Sequence, residues 1–418
     1  MKGGLGYCSK LVFESTHKGE NVKNIMVWDA GELQKQLNDH KLDMDASSLV
    51  DSVINIDSVV FEEDQHFFKV IMEDVKNKDL LDRRNIEEYL SMVAPVPFSS
   101  HFIFKNLIKE EISKESLSID EYRIFINTDQ LYKGYTTSLY DGLPPNNKKY
   151  DEIFDIDTIK IQNAEKEIIA WGWYGISKFE KQIPTTANIA RGIRLRKGNI
   201  QIGSENALVK LHKEQRGNFY FIGEIHAFHP DLIPNSRRDY FNENKISKFL
   251  DQKLKEIFHN KLHRLYHDAN KLKNAVKRID RYKEISEEYR EKIETGSFSS
   301  KQQENDLIEN MEQAKKEAKN KHKELLRFKK KAEDNETLNK LYNKVVSSNI
   351  DENFRDDLQT ADTDTNLNKA KYRTQKLTKL SRREERVIRK VFEIIDLMLP
   401  DLKERGEELK KKIEEEFK

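Results

Sequence analysis

At 418 residues the chain is long enough for two or three domains and at least one sizeable core. Lys plus Arg number 74 against 73 Asp plus Glu, and the resulting net charge of +1 gives no general electrostatic reason to bind nucleic acid or an anionic membrane. The one cysteine, Cys8, excludes an internal disulfide, and the lack of a signal peptide or long apolar run leads us to expect a cytoplasmic protein with no membrane partner.

The chain opens "MKGGLGYCSK", with glycines at 3, 4 and 6 ahead of a strand-like segment. Clustered glycines let backbone N–H groups approach a phosphate, so Gly4 and Gly6 are candidate anion-binding positions; a flexible lead-in to a strand is the plainer reading. Cys8 has no neighbouring base that would make it a nucleophile and is expected to be a structural thiol.

Up to about Phe241 the punctuation is that of an α+β protein. "HFFKVIMEDV" (66–75), "YRIFINT" (122–128), "EIIAWGWYGI" (167–176), "GIRLRKGNIQIG" (192–203) and "FYFIGEIHAF" (219–228) are rich in aromatic or β-branched residues and predict strands. "NIEEYLSMVAPVPF" (85–98) predicts a short helix stopped by Pro95 and Pro97. Alternation puts Arg194 and Arg196 on one strand face near Arg191 and Lys197; a solvated face is favoured over a phosphate or nucleic-acid contact.

From Ile246 the period becomes helical: Phe258, Leu262, Leu265, Ala269, Leu272, Val276 and Ile279 alternate steps of four and three, a coiled-coil seam. It breaks at "TGSFSS" (295–300) and resumes through Leu307, Met311, Ala314, Ala318, Leu325, Phe328 and Ala332. Two such helices joined by a short Gly/Ser break should fold back as an antiparallel hairpin, because neither buries its stripe alone. His259, His263 and His267 recur every fourth residue, but Asn260 follows His259, so no HExxH is present; the three are expected to flank the seam, and no metal centre is expected. "HAFHP" (226–230) is an equally weak ligand pair. "DTDTN" (362–366) imitates a calcium loop, yet Leu367 stands where the loop needs glycine and Arg373 where it needs glutamate. The segment 347–380 reads as a polar linker. Ser381 and Glu384 then form a capping box opening a helix with Ile388, Val391, Ile395 and Met398 on one face.

"LIPNSRRDYF" (232–241) places two arginines in a Pro-Asn-Ser turn. Alone it is an exposed charged turn. With the segments before it, it resembles the gyrase, heat-shock protein 90, histidine-kinase and MutL superfamily of ATPases, the heat-shock protein 90 type in particular. Gly4-Leu5-Gly6-Tyr7 resembles the end of that family's ATP lid, and "HFFKVIMEDV" with "NIEEYLSMVAPVPF" resembles the close of its nucleotide domain. "GIRLRKGNIQIG" resembles a middle-domain strand, and "IGEIHAFHPDLIPNSRRDYF" the segment that presents an arginine to ATP. The resemblance spans roughly 3–245.

It implies a remnant of a Bergerat-fold nucleotide domain (1–98), a ribosomal S5 domain 2-like middle domain (99–245), a coiled-coil hairpin (246–346), the linker (347–380) and C-terminal helices (381–418). It implies ATP and Mg as cofactors of an intact protein, with Gly4, Gly6, Asn235, Arg237 and Arg238 at the phosphates and Arg238 in the catalytic position. Arg237 stands where the family has serine, so which arginine faces the phosphate is open. The family's catalytic carboxylate and adenine-binding acid would lie upstream, so the expectation is an N-terminally truncated form, inactive as an ATPase alone, whose missing segment is one partner. A homodimer or protein partner through the C-terminal helices is another. The competing readings are a non-enzymatic coiled-coil adaptor and a DNA-handling clamp that uses Arg194 and Arg196.

Overall fold

A computed structural model describes residues 2–39, 44–142, 145–184, 188–346, 372–377, 379–398 and 403–417. The protein is a mixed α+β chain with several separate sheets and a helical C-terminal half. Two compact units form: Met1–Ser99 with Ile119–Gly134 and Asn199–Gln201, and the remainder.

The first unit is built on an antiparallel sheet of order β3-β2-β1-β4, where β1 is Lys10–Thr16, β2 Val22–Asp29, β3 Ile54–Val60 and β4 Phe68–Glu73. Two helices, α1 (Ala30–Asn38) and α2 (Ala46–Val53), connect β2 to β3, each opened by an aspartate whose side chain accepts from the first-turn N–H groups, Asp29 and Asp45. Cys8, Leu11 and Ala30 form a small core under Leu5, Trp28 and Met72. Along the same sheet face the apolar side chains run on into solvent: Ile56, Phe68 and Val70 are exposed, and the face borders an apolar groove of about 530 Å³. Helix α3 (Arg83–Val93) is capped by Asp82 and ends ahead of Pro95, as the sequence predicts. The strand expected over 122–128 shrinks to Phe125–Ile126 (β5), which turns at once through left-handed Asn127 to pair with Asp129–Gln130 (β6).

The second unit begins with α4 (Lys105–Lys114) and the small hairpin β7 (Ser138–Asp141) and β8 (Lys148–Glu152). Its main sheet has the order β11-β13-β10-β9, with β9 Asp155–Gln162, β10 Ile168–Ile176, β11 Gly192–Lys197 and β13 Ile222–Ala227; the short β12, Ile200–Ile202, follows β11 in the chain, and its first two residues are counted with the first unit. β10 runs antiparallel to β9 and β13, whereas β11 runs parallel to β13. Every residue of β13 is buried, as is all of β11 but Lys197, the signature of strands covered on both faces.

Asn244 and Ser247 form a reciprocal capping box that starts α5 (Lys245–Ile257), which passes through one π turn, Phe258–Leu262, into the long α6 (His263–Thr295). Gly296, left-handed at φ 57°, ends α6, and the Ser300 side chain caps α7 (Lys301–Glu333). The two 33-residue helices pack as the predicted hairpin. Phe258, Leu262, Leu265, Ala269, Leu272 and Ile279 are buried against Met311, Ala314, Ala318 and Leu325, in one core continuous with β9, β10, β11 and β13. A further helix, α8 (Glu336–Val345), returns along this core; its buried Leu341 and Tyr342 had no counterpart in the sequence reading.

Asp157 on β9 ties these layers together. Its carboxylate accepts from Tyr174 and Thr337 hydroxyls, both at 2.9 Å, and faces Lys261 Nζ at 3.1 Å. Burial alone would raise its pKa; the Lys261 charge and the hydrogen bonds outweigh burial and hold it below the usual aspartate range. A carboxyl with a lowered folded pKa stabilises the fold above its unfolded pKa of about 4, and that contribution drains away as pH falls through the folded value. Asp157→Asn should therefore cost about 2–3 kcal/mol in urea unfolding at neutral pH. The difference from the parent should shrink below about pH 4.

The C-terminal residues gather at the hairpin tip. Arg373 N–H donates to Phe298 O at 3.0 Å, and its guanidinium pairs with Glu407 and Glu414. The predicted capping box opens α9 (Arg382–Met398): Ser381 N–H donates to Glu384 at 2.7 Å and Ser381 Oγ accepts from Glu384 N–H at 3.4 Å. Ile388, Val391 and Ile395 are half-buried, but Met398, expected on the same face, is exposed, and Phe392 is the residue fully buried. On α10 (Lys403–Phe417) the buried Lys410 ammonium binds Ser299 Oγ, Asp396 and Glu407. Most of the expected linker and the "DTDTN" segment lie outside the described residues. Among the described residues, no helix is long and apolar enough to cross a membrane.

Candidate functional site

The arginine turn lies between β13 and α5 in the second unit. Leu232 and Phe241, both buried, anchor its two ends, and Pro234 bridges Phe241 across its base. Asn235 shapes the loop: its N–H donates to Tyr240 O at 2.9 Å, its Oδ1 accepts from Asp239 N–H at 3.2 Å, and its Nδ2 donates to Asp239 Oδ1 at 2.6 Å. Arg238 sits at the apex with φ 56°, a left-handed backbone that costs a bulky residue about 1–3 kcal/mol and persists only where the surroundings fix it.

That fixing comes from Gly203, at the end of the β11-β12 hairpin. Its N–H donates to Arg238 O at 2.8 Å, its own φ is +68°, and a Cβ there would lie 2.6 Å from the Asp239 carbonyl oxygen. Only glycine allows this approach. Gly203→Ala should cost about 1–3 kcal/mol and release the loop. Proteolysis at Arg237 and Arg238 by trypsin checks the release: the variant should be cut there several-fold faster than the parent.

Both arginine side chains are exposed, and neither makes a hydrogen bond or ion pair with a described residue. An exposed arginine commonly leans on a neighbouring acid, yet Asp239 is already engaged by Asn235. The loop therefore holds two permanently charged, planar donors away from the body of the unit.

The glycines at the start belong to the first unit. Lys2–Gly6 forms one 3-10 turn in which Gly4 O accepts from Tyr7 N–H at 3.0 Å and from the Cys8 thiol at 3.2 Å, while Leu5 O accepts from Gln34 at 2.9 Å. Neither Gly4 nor Gly6 has a left-handed backbone, so the turn lacks the alternation of hand that makes a nest of convergent N–H groups. Cys8 is buried and its thiol is pushed up by burial, as suits a structural thiol.

The basic strand is corrected by the structure. Arg194 and Arg196 are on one face of β11, but that face is buried: Arg196 is wholly inaccessible and Arg194 nearly so. Arg196 Nε lies 2.5 Å from Glu224 on the parallel neighbour β13, and Glu224, equally inaccessible, also meets His226 Nε2 at 3.0 Å. Arg194 reaches Ile189 O and Glu205. Neither the solvated face nor a groove for DNA describes these two side chains.

The two histidines of "HAFHP" also separate. His226 belongs to the Glu224 network and His229 faces Glu167 at 3.5 Å, so "HAFHP" does not converge on one point. On α6, His263 and His267 do converge, on Glu214 ahead of the 3-10 turn Gln215–Tyr220; the sequence reading, confined to one helix, missed this acid.

The chain matches no family model and no curated protein.

Proposed function

We propose that this chain is the phosphate-sensing and transducing part of an ATP-driven conformational protein of the heat-shock protein 90 type. The observation that carries the reading is the loop Pro234–Phe241, which presents Arg237 and Arg238, without partners among the described residues, on a strained, glycine-clamped backbone. Two exposed guanidinium forks on a fixed loop are suited to phosphate oxygens and to charge developing on a transferring phosphoryl group. The loop also runs directly into α5, whose core is shared with the hairpin, so a pull on the loop is passed to a lever of two 33-residue helices.

In this reading the first unit is the closing part of a Bergerat-fold nucleotide domain and the second-unit sheet an S5-like middle domain. The partly uncovered apolar face of β1–β4 supports the first assignment, because a sheet in such a domain needs a covering layer of helices. The residues present fit the phosphate end of ATP alone. Arg237 and Arg238 would hold phosphate; no acid for adenine and no Asn for Mg is assigned among the described residues. The Lys2–Gly6 turn, as folded, offers Gly4 and Gly6 no convergent N–H groups, so any part they take needs a rearranged backbone.

Calorimetric titration of the chain with tripolyphosphate tests the sensing step. Weak, salt-sensitive binding should be lost when Arg237 and Arg238 are both changed to alanine. Binding that survives the double change would overturn the phosphate-sensing role of the loop.

The adaptor reading is favoured by one feature, the hairpin's polar outer surface around a continuous core, which suits docking as well as leverage. It expects partner binding through the hairpin that is indifferent to ATP in the presence of the nucleotide segment.

A further inference from the structure

We propose that Glu214, His263 and His267 form a binding site for a divalent transition metal, zinc foremost, that clamps the segment after β12 to the root of the helical hairpin. This site is separate from the arginine loop and does not depend on its role. His263 Nε2 and His267 Nε2 both lie 3.5 Å from the same oxygen, Glu214 Oε1, and all three ligand atoms lie within 4.8 Å of one another. At 3.5 Å these contacts are long for hydrogen bonds, whose N···O separation is about 2.7–3.2 Å. They suit two ligands sharing one ion: with Zn–N and Zn–O of about 2.1 Å and tetrahedral angles, neighbouring ligand atoms stand about 3.4 Å apart.

Among the described residues, the buried Nε2 atoms of both rings have no hydrogen-bond partner. Glu214 is oriented through its other oxygen: Arg216 Nε donates to Oε2 at 2.7 Å and Tyr266 Oη lies at 3.4 Å from it, leaving Oε1 facing the histidines. Such outer contacts fix the geometry of a carboxylate ligand. The i, i+4 spacing puts both rings on one face of α6 with centroids 4.3 Å apart, one helical step beyond the π turn Phe258–Leu262. π turns recur at functional sites because the extra residue re-aims the side chains that follow.

Two imidazoles and a carboxylate select the later first-row divalent ions over calcium or magnesium, and three protein ligands leave a fourth position for water. The ion would join Glu214 to α6 and stiffen the base of the hairpin.

The test is titration of the chelator-treated chain with zinc, followed by calorimetry and thermal unfolding, with cobalt as a spectroscopic substitute. One zinc should bind per chain and raise the melting temperature, and cobalt should give the intense visible bands of a four-coordinate site. Glu214→Gln and His267→Ala, both at partly exposed positions that should fold, should each weaken binding at least about 100-fold, while His259→Ala leaves it unchanged. No stoichiometric binding at micromolar zinc, or binding undiminished in both Glu214→Gln and His267→Ala, would overturn the site.

Discussion

Glu224→Ala should destabilise the second unit by about 3–5 kcal/mol, the cost of leaving a buried charge without its partner. Arg196 and Glu224 are both wholly inaccessible, on paired strands at the centre of the sheet, and a guanidinium cannot shed its proton to relieve the loss. His226 would lose its acceptor at the same time. Tyr135, whose hydroxyl donates to Gly223 O at 3.2 Å, has its ionisation pushed far up by burial first and by the Glu224 charge second, so it cannot supply a replacement anion. Equilibrium urea unfolding should show the midpoint falling with little change in slope. Replacing both partners with apolar residues, Arg196→Met with Glu224→Leu, should recover most of the loss, since the desolvation cost of the pair vanishes with it. A loss under about 1 kcal/mol for Glu224→Ala would mean that water reaches the pair.

That network also marks where sequence reading stops. The alternation in "GIRLRKGN" assigns Arg194 and Arg196 to one face of a strand, and the structure agrees; alternation carries no information on whether that face is covered. β11 is parallel to β13 and both are buried on two sides, a fact of topology that a charged strand hides. Glu224 was readable only as an acid inside an apolar run. The hairpin, by contrast, was legible because its signal is local: a sustained step of three and four residues, a left-handed Gly296 and a Ser300 cap within a few residues. His263 and His267 share a helical face by spacing alone, whereas Glu214 joins them only through the tertiary fold.

The arginine loop was legible as a turn, since Pro234, Asn235 and Ser236 are turn residues, but its geometry was not. Sequence could not show that Asn235 engages Asp239, nor that Gly203 holds the apex from outside the loop.

Arg238→Ala, made in this chain joined to the nucleotide segment that the proposed function requires, should lower ATP turnover by about 10²–10³-fold, the scale of losing one preorganised donor to a transition-state charge. ATP affinity should change only a few-fold, because adenine and Mg would be held elsewhere and the guanidinium acts mainly once the domains close. Arg237→Ala should do less: Arg238 is the residue whose carbonyl is bonded to Gly203 and whose strained backbone fixes its direction, so its side chain starts from the more ordered base. Asn235→Ala offers a control that touches neither charge. It removes both bonds to Asp239, frees that carboxylate to pair with an arginine, and should reproduce part of the Arg238→Ala loss with both guanidinium groups still in place. Should Arg237→Ala abolish turnover and Arg238→Ala leave it intact, the two roles would be exchanged; should neither change it, the loop would be a charged turn and the transducing role would pass to another part of the second unit.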